Sequence, residues 1–228
     1  SHGGPSGGPL FLFPWFDYNL SVPLILLLCV LLAPAVLPAS ETADPSPDIL
    51  LVSIDTLRAD RVGCLGYGKP TTPTIDRLAR NGHLFSGALT PTPLTLPAHA
   101  TILTGLDPWE HGVRDNSNFS LPSGVPTLAE RLAAAGYDTA AFVSAYVLAS
   151  SFGLARGFGH YDELPLDALR SGTIAVPERR AGETVEAAGK WLAVPRTKPL
   201  FAWVHLYDPP APYDPPPPFN ARFTDPYD

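Results

Sequence analysis

The sequence predicts an α/β fold in which a parallel-rich sheet is flanked by helices. Two continuous apolar runs of strand length, at 48–55 and 199–206, each lead into polar residues, as buried parallel strands do. Helix patterns with start and stop signals lie between them. Strands that alternate with helices form parallel sheets covered on both faces. A chain of 228 residues, 45% of them hydrophobic, is long enough to build one such core.

Local capping signals place the individual elements. Thr72, Pro73 and Gly82 predict a short helix with an N-cap, a proline in its first turn and a glycine stop. A capping box of Thr127 and Glu130 opens a second helix. The other elements are an extended segment at 83–89, a strand at 139–144 and a helix at 183–193, whose buried face would carry Val185, Ala188 and Leu192.

The N-terminal part of the chain divides into three segments before the main domain at 48–228. Residues 1–19 are rich in Gly, Pro and aromatic residues, lack Lys and Arg, and are predicted to be disordered. Residues 20–39 form either a transmembrane helix, with membrane contact through 20–37, or the core of a signal peptide. Residues 40–47 are a polar linker. Both interpretations place the domain outside the cytoplasm, either membrane-anchored and facing outward or secreted into the periplasm or medium.

Charge and cysteine content exclude two other classes of function. The net charge of −7 argues against a nucleic-acid partner, because such proteins present basic surfaces. The two cysteines, Cys29 and Cys64, form neither a disulfide framework nor a metal-ligand pattern. The predicted function therefore depends on hydroxyl, carboxylate and imidazole groups.

The stretch 95–105 predicts a helix that begins near Thr95 and ends by Gly105. Unpaired N–H groups and the helix dipole favour negative charge at such an N-terminus. A tetrahedral anion such as phosphate or sulfate would be held there, with Thr95 Oγ placed to attack it. The alternative is that Thr95 only caps the helix.

Asp55 ends the first predicted strand, where ligands gather in open α/β sheets. Its carboxylate is therefore a candidate metal ligand. The competing interpretation is that Asp55 caps the turn that follows the strand.

Several segments, in this order and spacing, resemble the sulfatase family of the alkaline phosphatase superfamily: 49–60, 71–76, 95–99 and 103–105, with 111–113, 126–130 and 136–137. The resemblance implies an alkaline-phosphatase/sulfatase-like domain, incomplete at its C-terminus. The Asp-His-Gly and Asp-Asn motifs that supply the family's remaining metal ligands are missing from this chain. We therefore expect a fragment of a longer enzyme.

Carried over residue by residue, the resemblance makes Thr95 the nucleophile and Asp55 the first metal-binding carboxylate, with Thr95 as a second ligand. The implied cofactor is a divalent ion (Ca, Mg, Zn or Mn). A neutral alcohol is a weak nucleophile until a cation lowers its pKa or a base removes its proton.

The departures from the family pattern concern the same site. Thr95 stands where sulfatases have the Cys or Ser that becomes formylglycine, and Thr cannot make that aldehyde. His99 replaces an expected Arg, and Pro210 replaces a His found in many relatives. A Thr nucleophile resembles the phosphodiesterase and phosphoethanolamine-transferase branches of the superfamily instead.

Three further side chains are candidates for the site. His99, one helical turn after Thr95, would either donate to a bound oxyanion or pack on the helix. His205, at the end of the last strand, is a candidate substrate contact or a satisfied strand-end histidine. Arg58 is a candidate for anion contact and is also expected to pair with Asp60.

The predicted function is metal-dependent hydrolysis of a phosphate or sulfate ester by Thr95, with helix N–H groups holding the equatorial oxygens. Two alternatives remain open at this point. One is a membrane-anchored phosphoethanolamine-type transferase, and the other is a non-catalytic remnant or binding domain.

Overall fold

The structure is a computed structural model that describes residues 46–164, 179–208 and 215–221, all within one compact unit, Pro45–Asp228. The predictions for 1–19 and 20–39, and for Pro210, lie outside the described residues. Within the described ranges, no helix combines the length and apolar character needed to cross a bilayer.

A four-stranded parallel sheet forms the centre of the fold, in the order β1-β4-β2-β3. The strands are β1 Ile49–Ile54, β2 Asp138–Phe142, β3 His160–Asp162 and β4 Leu200–Leu206. Because every pair is parallel, the carboxyl ends of the strands meet at one edge. The register pairs Ser53 with His205, which brings the end of β1 beside the end of β4.

The described part of the chain contains the helices α1 Pro73–Asn81, α2 Thr95–Thr104, α3 Pro108–His111, α4 Leu128–Ala134 and α5 Ala181–Leu192. Short 3-10 turns connect some of them, at Ala59–Arg61, Gly63–Leu65, Tyr146–Leu148, Ser150–Phe152 and Phe219–Ala221.

The sheet is covered by apolar side chains on both faces. On one face, Phe201 and Trp203 of β4 pack with Leu96 and Leu103 of α2. On the other face, a smaller cluster joins β2 and β4 to Ala188 of α5. Alternation along β4 sends successive side chains to opposite faces. Each fully buried Trp, Phe or Leu contributes roughly 1.5–3 kcal/mol relative to an exposed one.

The α/β prediction is confirmed, and the local differences have physical causes. Segment 83–89 is irregular, with a single turn at 86–87 and no strand, and the three-residue β3 was not predicted because it is too short to show a period. On α5 the buried residues are Thr184 and Ala188, whereas Val185 is 52% exposed. The predicted inner face was therefore right at Ala188 and wrong at Val185. Thr184 was missed, because a buried Thr that hydrogen bonds to Ser144 carries no apolar signal.

We expect Gly157→Ala to destabilise the fold far more than Gly136→Ala. Both glycines have positive φ, 86° and 92°, so each substitution carries a backbone penalty of about 1 kcal/mol. Only at Gly157 would the new Cβ lie 2.1 Å from the backbone nitrogen of Glu130. Urea unfolding should show an additional loss of about 2 kcal/mol for Gly157→Ala. Equal losses for the two variants would contradict this packing.

Candidate active site

The end of β1 and the start of α2 meet through one hydrogen bond. Thr95 Oγ1 donates to Asp55 Oδ2 over 2.9 Å. The backbone N–H of Asp55 donates to the carbonyl of Leu206, which holds Asp55 in line with the sheet. Leu94, not Thr95, is the N-cap residue, and Thr95 is the first residue of the helix. The Thr95 hydroxyl therefore faces the strand end and does not act as a helix cap.

The Asp55 carboxylate is buried, and its pKa is lowered. Burial by itself raises the pKa, but hydrogen bonds from His205 and Thr95 and the electrostatic attraction of the His205 and His99 rings outweigh it. Asp55 is therefore ionised at neutral pH. Among the described residues, Thr95 and His205 both contact the same carboxylate oxygen of Asp55, Oδ2.

His205, on β4, also contacts Oδ2 of Asp55. Its side chain is fully buried, and its Nε2 lies 3.3 Å from Asp55 Oδ2. Its Nδ1 has no hydrogen-bond partner among the residues that the structure describes. His205, which was predicted to contact substrate, thus contacts Asp55 and is itself buried.

His99 lies in a continuous hydrogen-bonded chain. The Trp203 indole N–H donates to Ser53 Oγ (3.0 Å), and Ser53 Oγ lies 3.1 Å from His99 Nε2. His99 Nδ1 is 2.7 Å from the Thr95 carbonyl, which it meets as a donor. Nε2 is then the acceptor for the Ser53 hydroxyl, and both ring nitrogens are occupied within the protein.

The environment of His99 favours its neutral form. Burial lowers the pKa of the imidazole to about 4, assisted by repulsion from His205, whereas the Thr95 carbonyl and Asp55 oppose the shift. In this structure His99 fixes the first turn of α2 from within. Its predicted direct contact with an oxyanion stays a prediction.

The N-terminus of α2 offers fewer free N–H groups than expected. The Leu96 N–H donates to Asn116 Oδ1 (2.8 Å), Pro97 has none, and the Ala98 N–H donates to the Leu94 carbonyl (3.0 Å). Among the described residues, the Thr95 N–H is thus the first-turn amide for which no hydrogen-bond acceptor is found. Asn116 was missed, because a polar residue in a loop between two elements carries no periodic signal.

Arg58 lies at the surface, in the segment that follows β1. Its side chain is 68% exposed and forms two hydrogen bonds to Asp60, of 2.9 and 2.7 Å. The predicted Arg58–Asp60 pair is confirmed, and the role of Arg58 in anion contact stays a prediction. A cavity of about 410 Å³ opens beside Asp55 and Thr95, and Arg58 is not among its lining residues.

A sequence model of the sulfatase family matches residues 47–228. The chain belongs to the sulfatase family. The predicted resemblance is thereby confirmed, and the parallel sheet with flanking helices is the fold of solved structures in the alkaline phosphatase superfamily.

Curated relatives of this sulfatase-family chain include enzymes with different substrates. It is 33% identical over 126 residues to the Delta 4,5-hexuronate-2-O-sulfatase of Bacteroides thetaiotaomicron, covering 54% of the chain and 25% of the relative. It is 31% identical over 188 residues to the steryl-sulfatase of Mus musculus, covering 72% of the chain and 29% of the relative. The chain thus spans less than a third of these relatives.

Among solved structures, the chain is similar to the phosphonate monoester hydrolase of Agrobacterium radiobacter, with a TM-score of 0.62 and 26% identity. That match covers 77% of this chain and 43% of the hydrolase. These relatives are named as sulfatases and as a phosphonate monoester hydrolase.

The donor set of this sulfatase-family chain fits part of a divalent-metal site. Asp55 supplies an anionic oxygen and Thr95 a hydroxyl oxygen, the ligand types that hard cations prefer. Such cations take about six oxygens, and the described residues contain no cluster of three or more His, Cys, Asp or Glu side chains. Asp55 and Thr95 therefore match one side of a metal site.

Burial of His99 predicts a specific pH dependence of stability. The pKa of His99 is about 4 in the folded state against 6.5 when exposed, so the unfolded state binds more protons between those values. The free energy of unfolding should fall on the order of 3 kcal/mol as the pH drops through this window. His99→Gln should remove this slope in urea unfolding of metal-free protein, whereas His83→Gln, at an exposed position, should keep it. An unchanged slope in His99→Gln would contradict the burial argument.

Loss of the hydrogen bond between the Leu96 N–H and Asn116 should cost as much stability as loss of a helix N-cap. Asn116→Ala leaves the Leu96 N–H without its acceptor and should lower the free energy of unfolding by about 1 kcal/mol. Asn116→Asp keeps an acceptor oxygen at the helix N-terminus and should retain most of the stability. Urea unfolding of both variants tests this, and a larger loss for Asp than for Ala would show that the contact is not a cap.

Proposed function

We propose that this chain forms the nucleophile side of a metal-dependent enzyme that cleaves a phosphate ester or, as the second choice, a sulfate ester. The observation that carries the proposal is the 2.9 Å contact of Thr95 Oγ1 with Asp55 Oδ2, at the start of a helix and the end of a strand. An alcohol and a carboxylate so placed can share one cation. Family membership and the neighbouring hydrolases support the same class of reaction.

Asp55 and Thr95 would hold the divalent ion, together with further ligands. When bound, such an ion lowers the pKa of a coordinated alcohol and neutralises negative charge that develops on the ester oxygens. The carboxylate has a second task, because it accepts the hydrogen bond of the Thr95 hydroxyl and so directs the oxygen lone pairs away from itself.

The surrounding residues orient the two reacting groups. His205 holds Asp55 Oδ2, and His99 holds the Thr95 carbonyl, so the strand end and the helix start keep one geometry. The Thr95 N–H, at the first residue of the helix, could meet an ester oxygen. The Thr95 oxygen would attack the phosphorus or sulfur atom in line, pass its proton to Asp55 and displace the alcohol of the ester, which leaves the phosphoryl or sulfuryl group covalently bound to Thr95. A second attack, by water or another alcohol, would break the bond to Thr95 and release the group.

The second attack separates hydrolase from transferase. Water as the acceptor gives a hydrolase, whereas an alcohol on a lipid or glycan gives a phosphoethanolamine-type transferase. The apolar segment at 20–37 favours a membrane location, and we propose that the domain acts outside the cytoplasm. Product analysis with an added alcohol acceptor distinguishes the two reactions.

Thr95→Ala in the natural full-length protein should reduce ester cleavage by about 10³-fold or more, because no other oxygen replaces the nucleophile. Thr95→Ser keeps the hydroxyl and should stay within about tenfold of the wild type. Steady-state cleavage of 4-nitrophenyl phosphate and sulfate esters measures both. Unchanged activity in Thr95→Ala would remove Thr95 from the mechanism and favour a non-catalytic domain.

Asp55→Asn should weaken divalent-ion binding by at least about tenfold, because a neutral amide replaces an anionic oxygen. The matched control is Asp60→Asn. Asp60 lies five residues after Asp55, is exposed and is paired with Arg58. Calorimetric titration with Mg²⁺, Ca²⁺, Mn²⁺ and Zn²⁺ compares the variants with the wild type. Equal affinities for Asp55→Asn and Asp60→Asn would exclude Asp55 as a ligand.

A further inference from the structure

The turn after β1 has a backbone conformation that Thr rarely adopts. Thr56 has a φ of 51°, which lies in the left-handed region. That region brings the Cβ atom close to the backbone carbonyl, and a β-branched residue such as Thr is especially disfavoured there. Glycine avoids this cost, and glycine occupies every other position of positive φ in the described part of the chain: Gly66, Gly105, Gly112, Gly136, Gly153 and Gly157. Position 56 is therefore the exception that keeps a side chain.

Core packing does not account for the Thr56 side chain. The residue is exposed and belongs to neither apolar cluster of the described structure. It lies instead at the candidate active site, because it directly follows Asp55 and lines the same cavity of about 410 Å³ as Asp55 and Thr95. Backbone strain that persists in a folded protein concentrates at active sites and ligand-binding positions. The location therefore indicates a function for the side chain.

The Thr56 hydroxyl is available to a ligand, unlike the hydroxyls of Thr90 and Thr95 in the same cavity. The Thr95 hydroxyl donates to Asp55 over 2.9 Å. The Thr90 hydroxyl donates to the Thr92 carbonyl over 2.8 Å. For the Thr56 hydroxyl, no hydrogen-bond partner is found among the residues that the structure describes. A ligand oxygen can therefore take the place of the water that this hydroxyl would otherwise bind.

We propose that Thr56 binds the substrate, and that its hydroxyl donates to a non-bridging oxygen of the phosphate or sulfate ester that Thr95 attacks. The inference rests on the proposed function, because it takes Thr95 as the attacking group. A hydrogen bond to an anionic oxygen is stronger than one between neutral groups. The left-handed turn is retained because it brings this donor to the cavity directly beside Asp55.

Thr56→Val in the natural full-length protein keeps the β-branched shape and the strained turn but loses the hydroxyl. With the metal bound, kcat/KM should fall at least about tenfold for the 4-nitrophenyl phosphate or sulfate ester, whichever the wild type cleaves faster. The inhibition constant of the matching inorganic anion should rise at least about fivefold. Thr56→Ser restores the hydroxyl and should stay within about threefold of the wild type in both measurements. The affinity of Thr56→Val for Mn²⁺, measured by calorimetry, should stay within about twofold of the wild type.

Thr56→Gly tests whether the strain is retained for the sake of the side chain. Glycine fits the left-handed turn, so thermal unfolding of the metal-free variant should occur at or above the wild-type temperature. The matched control is Thr197→Gly, at an exposed position without positive φ, and its melting temperature should lie about 2 °C or more below that of Thr56→Gly. Activity should move the other way, with kcat/KM of Thr56→Gly as low as that of Thr56→Val and that of Thr197→Gly unchanged.

The outcomes separate this inference from the proposed function. Cleavage that depends on Thr95, with wild-type kcat/KM in Thr56→Val or Thr56→Gly, would overturn the role of Thr56 and leave the nucleophile in place. A loss of Mn²⁺ affinity in Thr56→Val as large as its loss of activity would make Thr56 a metal contact and would also overturn the inference. Cleavage of neither ester by the wild type, or cleavage that Thr95→Ala does not change, would overturn the proposed function and the role of Thr56 with it.

Discussion

A single oxygen atom, Oδ2 of Asp55, joins the elements on which the site depends. It accepts the hydrogen bond of Thr95 from the start of α2 and lies 3.3 Å from the His205 ring on β4. The parallel register of β1 and β4 places those two strands side by side, and the position of α2 over the sheet completes the arrangement. A shift of any one element would separate the hydroxyl from the carboxylate.

A polar layer lies beneath this contact, with Trp203 and His99 buried and Ser53 half-buried. Trp203, Ser53 and His99 form a chain of hydrogen bonds that ends on the carbonyl of Thr95. Buried polar groups are costly when unpaired, and here each of these groups meets a partner. The chain therefore ties the first turn of α2 to β1 and β4 with directional contacts, which apolar packing alone does not provide.

The contact between Asp55 and Thr95 lies in a chain that belongs to the sulfatase family. The residue at the start of α2 is an alcohol, and Thr cannot become an aldehyde. This residue type leads from family membership to the proposal of a Thr-dependent enzyme.

Local signals in the sequence were sufficient to predict the parallel α/β class and the bounds of α1, α2 and α4. The reason is that capping residues and continuous apolar runs act over a few neighbouring positions. They were also sufficient to propose Thr95 and Asp55, which lie at element ends. Only the tertiary structure decided that His99 contacts Ser53 and that His205 contacts Asp55, since those partners lie 46 and 150 residues away in the chain. It likewise assigned Asn116 to the Leu96 N–H, because hydrogen bonds between distant loops and helices leave no period in the sequence.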